Sequence, residues 1–197
     1  MPFYDPKMRE LQDRYEGRAV PDRLEQVRRH DAFTEADRAM IAQAPFFFLA
    51  TFSETSVDCS FKGGAPGFVR VTGPNTLEFP DYDGNRMYRS LGNIAATGRC
   101  GLLFIRLDGA LFDGSAARMR ISGRAEIDDR PEAVADLPGA RRLVRVVAEH
   151  IFPNCPRYIP RMDVAEPSPH APRPGHTPPE AAWKSSEWMR DLFEDEA

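Results

Sequence analysis

Apolar residues in the middle of the chain recur with the two-residue period of β-strands. Residues 46–52 are apolar on both faces, which predicts a strand inside a sheet rather than at its edge. Residues 57–62 alternate between an apolar and a polar face, and the polar face carries Asp58, Ser60 and Lys62. These two strands are expected to pair as an antiparallel hairpin. Further strands are predicted at 68–72, 76–79, 100–107, 118–127 and 142–152.

Turn residues separate these strands at intervals of about 8 to 12 residues, which is typical of antiparallel barrels. One helix is expected between strands, whereas a doubly wound sheet needs helices between most of its strands. The sequence also lacks the glycine patterns of dinucleotide-binding and P-loop folds. The pattern therefore predicts a mainly β domain of α+β composition, with its strands in a closed antiparallel sheet.

Helical periodicity marks the two ends of the chain. Three short helices are expected at 6–15, 22–29 and 35–43, the last with Thr34 as its N-cap. Residues 161–179 are rich in proline and poor in large apolar side chains, which is typical of an extended linker. Helical spacing then returns near the C-terminus. The predicted organisation is a helical extension, a barrel domain, a linker and a C-terminal helix, at 1–45, 46–160, 161–179 and 180–197.

The helix between strands is predicted to follow a polar turn at 80–84 and to start near Arg86. Met87, Leu91 and Ile94 would then share one apolar face. The first N–H groups of a helix have no partner within it, and the helix dipole places positive potential there. Such a helix start, with arginine and hydroxyl side chains beside it, is a candidate anion site. An ordinary strand-to-helix connection with solvated arginines is the alternative.

Composition narrows the possible functions. The formal net charge of −4 and the pI of about 5.6 argue against non-specific nucleic-acid binding. No apolar run approaches the roughly 20 residues of a membrane-spanning helix, and the first residues lack a signal-peptide pattern, so a cytoplasmic location is expected. The four histidines have no metal-ligand spacing, which predicts no metal site. Free thiols are expected for the widely spaced cysteines Cys59, Cys100 and Cys155.

Several motifs in a fixed order go beyond a generic barrel. They are Asp-Cys-Ser-Phe-Lys-Gly at 58–63, Phe-Pro-Asp-Tyr-Asp-Gly-Asn-Arg at 79–86, Ser-Leu-Gly-Asn-Ile at 90–94, and the strands at 101–105 and 120–125. This order resembles the pyridoxamine 5′-phosphate oxidase-like, FMN-binding split-barrel superfamily over roughly residues 46–159. Within it the chain is most similar to uncharacterised flavin-binding subfamilies with a Pro-Asp-x-x-Gly-Asn turn. The resemblance implies a six-stranded antiparallel split β-barrel with flanking helices, which forms a homodimer with FMN at the subunit interface.

The resemblance also implies site residues. Carried over by position, it assigns the FMN phosphate to Lys62, Asn85, Arg86 and Ser90. It places Ser60 and the segment Phe79, Pro80 and Asp81 beside the ribityl chain and the ring, and it implies that Arg157 reaches the flavin from the other subunit. The residue chemistry agrees, because a phosphate dianion is bound well by the planar fork of arginine and the point charge of lysine.

The function implied is a flavin-dependent oxidoreductase that transfers hydride through flavin N5 to or from an unknown small molecule. True pyridoxamine phosphate oxidases have a longer basic stretch and a different C-terminal pattern, so pyridoxamine phosphate is not the expected substrate. A non-catalytic flavin carrier or sensor is an alternative. Binding of deazaflavin F420 or haem is another, and haem would require an axial histidine, for which His150 is the candidate within the predicted barrel.

Overall fold

A computed structural model describes residues 2–106, 118–154, 159 and 168–186. Three helices come first: α1 (Pro6–Tyr15), α2 (Ala19–Arg28) and α3 (Glu35–Gln43). The sheet strands are β1 (Phe46–Phe52), β2 (Val57–Gly63), β3 (Arg70–Val71), β4 (Thr76–Tyr82), β5 (Arg99–Ile105), β6 (Arg118–Asp128) and β7 (Ala140–Asn154). Helix α4 (Arg89–Thr97) lies between β4 and β5, and short 3-10 helices occur at Pro131–Val134 and Ala182–Ser185.

The strands form one antiparallel sheet in the order β2-β1-β5-β6-β7-β4-β3. The β1–β2 hairpin is present as predicted, and β1 lies inside the sheet between β2 and β5. Seven strands are present, as the periodicity predicts, whereas the resemblance implies six; the additional strand is β3, which contributes only a two-residue pairing with β4. The strand predicted at 68–72 is shorter because Phe68 and Val69 turn into the core, where they are 6% and 2% exposed.

A single apolar core lies on the inner face of the sheet. Phe47 is fully buried, and its ring is 4.9 Å from that of Phe79 and 5.1 Å from that of Phe104. Burial of each such side chain contributes about 1.5–3 kcal/mol. Alternation in β6 follows the prediction, since Met119 and Ile121 are buried while their neighbours face outward. The core therefore joins β1, β4, β5 and β6 into one unit.

Two of the N-terminal helices have the predicted bounds. Thr34 caps α3 in a reciprocal capping box with Asp37, so the helix start is set by local hydrogen bonds. Helix α2 begins at Ala19, earlier than the 22–29 prediction, because Pro21 falls in its first turn, where the missing N–H costs nothing. No described helix has the length and apolarity required to cross a bilayer.

Helix α4 differs from its prediction. It begins at Arg89 and not near Arg86, because Arg86 and Tyr88 have left-handed backbone with φ of 59° and 52°. Met87 is therefore outside the helix and 62% exposed, whereas Leu91 and Ile94 are buried as expected. The preceding strand also runs through the predicted turn at 80–84 as far as Tyr82, since β7 pairs with it along that length.

The described part of the C-terminal region packs back against the barrel. Residues 168–179 contain no helix, and their β pairing is the isolated bridge between Arg173 and His176. Ala171 is 8% exposed there. Of the helix predicted at 180–197, the described residues show the 3-10 turn Ala182–Ser185, and residues 187–197 lie outside the described part.

Candidate cofactor site

A cavity of about 1440 Å³ lies between β2, the β4–α4 loop, the start of α4 and residues 168–171. Ligand pockets for small molecules usually measure about 300–1,000 Å³, so this cavity has room for a nucleotide-sized group and a second molecule. Strand β2 forms one wall. Its polar residues Asp58, Ser60 and Lys62 line the cavity on a shared face, as the alternation of the sequence predicted.

A chain of hydrogen bonds ties β2 to the first turn of α4. The Ser90 hydroxyl donates to Asp58 Oδ2 at 2.6 Å, and the oxygens of Ser60 and Ser90 are 2.9 Å apart. Because Ser90 has one hydroxyl hydrogen, which Asp58 accepts, Ser60 is the donor to Ser90. Arg89 completes the connection with its Nε 3.4 Å from Asp58 Oδ1 and an N–H that donates to the Val57 carbonyl. The helix start therefore has a fixed position against β2.

The N-terminus of α4 opens into this cavity without a side-chain cap. Tyr88 is the N-cap residue in left-handed conformation, and no side chain of the described residues accepts from the first-turn amides. Tyr88, Arg89, Ser90 and Leu91 all line the cavity. Free helix amides and the positive end of the helix dipole favour an anion at this position.

Lys62 places a full positive charge in the same cavity. Its side chain is half-buried, and it makes no hydrogen bond or ion pair with the described part of the chain. The other two lysines of the sequence, Lys7 and Lys184, pair with Glu10 and Asp83. A lysine without an intramolecular acceptor, beside an uncapped helix start, is a suitable group for binding a phosphate.

An ion pair between β4 and β7 also lines the cavity. Arg142 lies 3.0 Å from Asp81, donates to the Tyr88 hydroxyl at 3.3 Å and stacks over the Tyr88 ring at 5.1 Å. The hydrogen bond to Tyr88 is the main factor that raises the pKa of the Arg142 guanidinium. Tyr82 lines the cavity nearby, and burial raises the pKa of its phenol, which keeps it a neutral donor.

Most of the site residues expected from the sequence come together here. Those that line the cavity are Ser60, Lys62, Pro80, Asp81, Asn85, Arg86 and Ser90. Asn85 also shapes the loop, since its Oδ1 accepts from the Met87 amide. Phe79 does not line the cavity, because it is 1% exposed and its ring packs on Phe47 in the core. Arg157 lies outside the described residues.

Sequence reasoning missed several residues of the cavity. Asp58 was recognised as part of a polar face and not as the acceptor that holds Ser90. No local pattern predicts the role of Arg142, because its partner Asp81 is far away in sequence. Ser168 and His170 of the Pro-rich segment also line the cavity, and no local pattern predicts that contact. His150, the candidate haem ligand, lies outside the cavity, where its Nδ1 accepts from Arg29.

Comparison with known families supports the architecture. The family described as pyridoxamine 5′-phosphate oxidase matches residues 33–171, which is more than half of the 197 residues. This chain belongs to that family. The resemblance inferred from the ordered motifs and the antiparallel split-barrel fold are thereby confirmed.

Matches among solved structures include three proteins of low sequence identity. HupZ of Group A Streptococcus is 16% identical over 61% of this chain and 93% of its own, with a TM-score of 0.44. A Lactobacillus delbrueckii protein, provisionally named a pyridoxamine 5′-phosphate oxidase, is 17% identical over 64% of this chain and 99% of its own, with a TM-score of 0.47. An FAD-binding protein of Mesorhizobium loti is 13% identical over 62% and 94%, with a TM-score of 0.38. No curated protein matched the sequence.

Proposed function

We propose that this protein binds FMN in the cavity between β2 and α4 and acts as a flavin-dependent oxidoreductase on a small molecule. The observation that carries the proposal is the uncapped start of α4 beside Lys62, within a member of the pyridoxamine 5′-phosphate oxidase family. When bound, FMN supplies hydride transfer at its N5 atom, and the protein supplies binding, orientation and local charge.

The phosphate of FMN would lie at the helix start. The amides of Arg89, Ser90 and Leu91 would donate to it, and Lys62 would supply a full positive charge from β2. Arg86 lines the cavity on the loop that precedes the helix. In this arrangement Asp58, which is held by Arg89 and Ser90, positions the helix turn and does not face the phosphate as an isolated negative charge.

Other predicted residues have distinct roles in this proposal. Ser60 and Asn85 would provide neutral polar groups near the phosphate and the ribityl chain, and Pro80 and Asp81 would border the rest of the cofactor. Phe79 would support this wall from within the core, because its side chain is 1% exposed and packs on Phe47. That Arg157 reaches the flavin from a partner subunit stays a prediction.

A second copy of the chain is the proposed partner. The outer face of β1 and β2 exposes an apolar surface, on which Val57 is 79% and Phe61 62% exposed. The Phe61 ring stacks on Phe46 with centroids 5.2 Å apart, and both residues also border the cavity. Because this apolar surface is continuous with the cavity, a dimer formed through it would place the cofactor at the subunit interface.

The test begins with the absorption spectrum of the purified protein and titration of the apoprotein with FMN and riboflavin. We expect oxidised-flavin bands and at least about tenfold tighter binding of FMN, because riboflavin lacks the charged group that the helix start and Lys62 would hold. A protein that binds neither flavin would overturn the proposal. Reduction of the bound flavin by a nicotinamide donor would support the oxidoreductase role, and an inert flavin complex would favour the carrier alternative.

A further inference from the structure

The β4–β7 pairing is irregular at the cavity. Asp81 pairs with Arg142 and Tyr82 pairs with Ala140, so Arg141 between them has no partner on β4. This irregularity is a β-bulge, in which one extra residue changes the direction of the side chains around it. As a result Arg141 and Arg142, which would face opposite sides of a regular strand, both line the cavity.

The two arginines differ in their charge balance. Arg142 is neutralised by Asp81 and held by Tyr88. Arg141 is exposed and makes no hydrogen bond or ion pair with the described part of the chain. The bulge therefore presents to the cavity a guanidinium that has no acidic partner among the described residues. This group belongs to β7, whereas the phosphate site proposed above belongs to β2 and α4.

Residues 168–172 bring further polar groups to the same place. Gly139 has a φ of +73°, and a Cβ built on it would lie 2.8 Å from Pro172, so the two residues are in close contact. Arg141 follows Gly139 by two residues and His170 precedes Pro172 by two, which places both beside this contact. Ser168 and His170 line the cavity with Arg141.

Two contacts hold this segment in position. Lys184 pairs with Asp83 at 2.6 Å with its side chain only 14% exposed, which anchors the chain downstream of the segment to the β4–α4 loop. His170 Nδ1 lies 3.2 Å from the Pro179 carbonyl, so it donates there, and Nε2 donates to an anion when the ring carries a hydrogen on both nitrogens. Residues 168–172 therefore form part of the cavity wall.

We propose that Arg141, Ser168 and His170 form a second anion subsite, which binds the carboxylate or phosphate group of the molecule that reacts with the flavin. The proposal deepens the proposed function and rests on it. FMN carries one phosphate, which the helix start would bind, so a second cationic group in the same cavity suits a different ligand. Arginine binds planar or tetrahedral oxyanions through paired N–H donors, and the serine hydroxyl adds a neutral donor.

Inorganic phosphate is the probe for this subsite. The full-length protein loaded with FMN is titrated with phosphate, and binding is followed by flavin difference spectra and by broadening of the phosphorus NMR signal. We expect saturable binding to the wild type and at least about tenfold weaker binding to Arg141→Gln, with FMN affinity unchanged. His170→Gln should also weaken phosphate binding. The matched control is Arg120→Gln, an exposed strand arginine outside the cavity, and it should change neither affinity.

Two results would overturn the subsite. One is phosphate binding that is absent from the wild type or equal in Arg141→Gln. The other is an Arg141→Gln variant that loses FMN affinity but keeps riboflavin affinity, because Arg141 would then contact the cofactor phosphate. If FMN itself does not bind, the apoprotein carrying Lys62→Met isolates the subsite. Phosphate binding that persists there and is lost on adding Arg141→Gln supports the subsite independently of the flavin proposal, and its absence there refutes it.

Discussion

Replacing Lys62 by methionine tests the proposed phosphate site most directly. Methionine keeps an unbranched, apolar stem and removes the charge. Lys62 makes no hydrogen bond or ion pair with the described residues, so the change breaks no described internal contact and should leave folding intact. A hydrogen bond to a charged group contributes about 1.5–3 kcal/mol, which corresponds to a rise of about 10- to 150-fold in the Kd for FMN. The Kd for riboflavin should stay within about twofold.

Isothermal titration of the apoprotein with each flavin measures both constants. The matched control is Lys7→Met, which removes a lysine that is 83% exposed on α1 and pairs with Glu10 outside the cavity. Its FMN affinity should equal that of the wild type. Because the contact is ionic, the difference between wild type and Lys62→Met should shrink as salt concentration rises.

The comparison of FMN with riboflavin decides whether the reasoning is right. Equal losses of affinity for both flavins would mean that Lys62 supports the cavity walls and does not contact the phosphate. Unchanged FMN affinity, with the wild type still preferring FMN over riboflavin, would place the phosphate elsewhere in the cavity. Either result would refute the assignment of the phosphate to the start of α4 beside Lys62.

Three further predictions concern stability, assembly and thiol chemistry. Gly123→Ala should lower the free energy of unfolding by about 1–3 kcal/mol or more, because the added Cβ would lie 2.1 Å from the Val147 carbonyl oxygen. Gly92→Ala is the control, since it lies on the open side of α4, and it should raise the free energy of unfolding by about 0.5–1 kcal/mol. Chemical denaturation measures both values. Val57→Asp should shift the protein from dimer to monomer in light scattering, since it places a charge in the proposed apolar interface; a wild-type monomer would contradict this. Burial and the Glu149 carboxylate raise the pKa of the Cys100 thiol to about 12. At pH 8 a maleimide should therefore label the exposed Cys59 far faster than Cys100, as measured by peptide mapping. Comparable labelling of the two thiols would show that Cys100 is neither buried nor raised in pKa.

Several features of this protein follow from short stretches of its sequence. The alternation of residues 57–62 placed Ser60 and Lys62 on one face, because side chains of a strand point to opposite sides in turn. Thr34 and Asp37 determined the start of α3 through hydrogen bonds within four residues. The ordered motifs identified the family, since their spacing reflects a sequence of strands and turns. Each of these features depends on residues close together in the sequence or on a pattern that recurs along it.

Other features were decided only by contacts between distant segments. The pairing of β4 with β7 extends the strand beyond Pro80 to Tyr82, which delays α4 until Arg89 and leaves Phe79 on the core side. The bulge opposite Asp81 turns Arg141 toward the cavity, and no local pattern contains the register that produces it. The sequence predicts a linker for the Pro-rich segment, because that segment has few large apolar residues. In the structure, contacts such as that of Pro172 with Gly139 hold it against the barrel. Sequence periodicity determines which face of its helix or strand a residue occupies, whereas the register between distant strands determines which residues that face contacts.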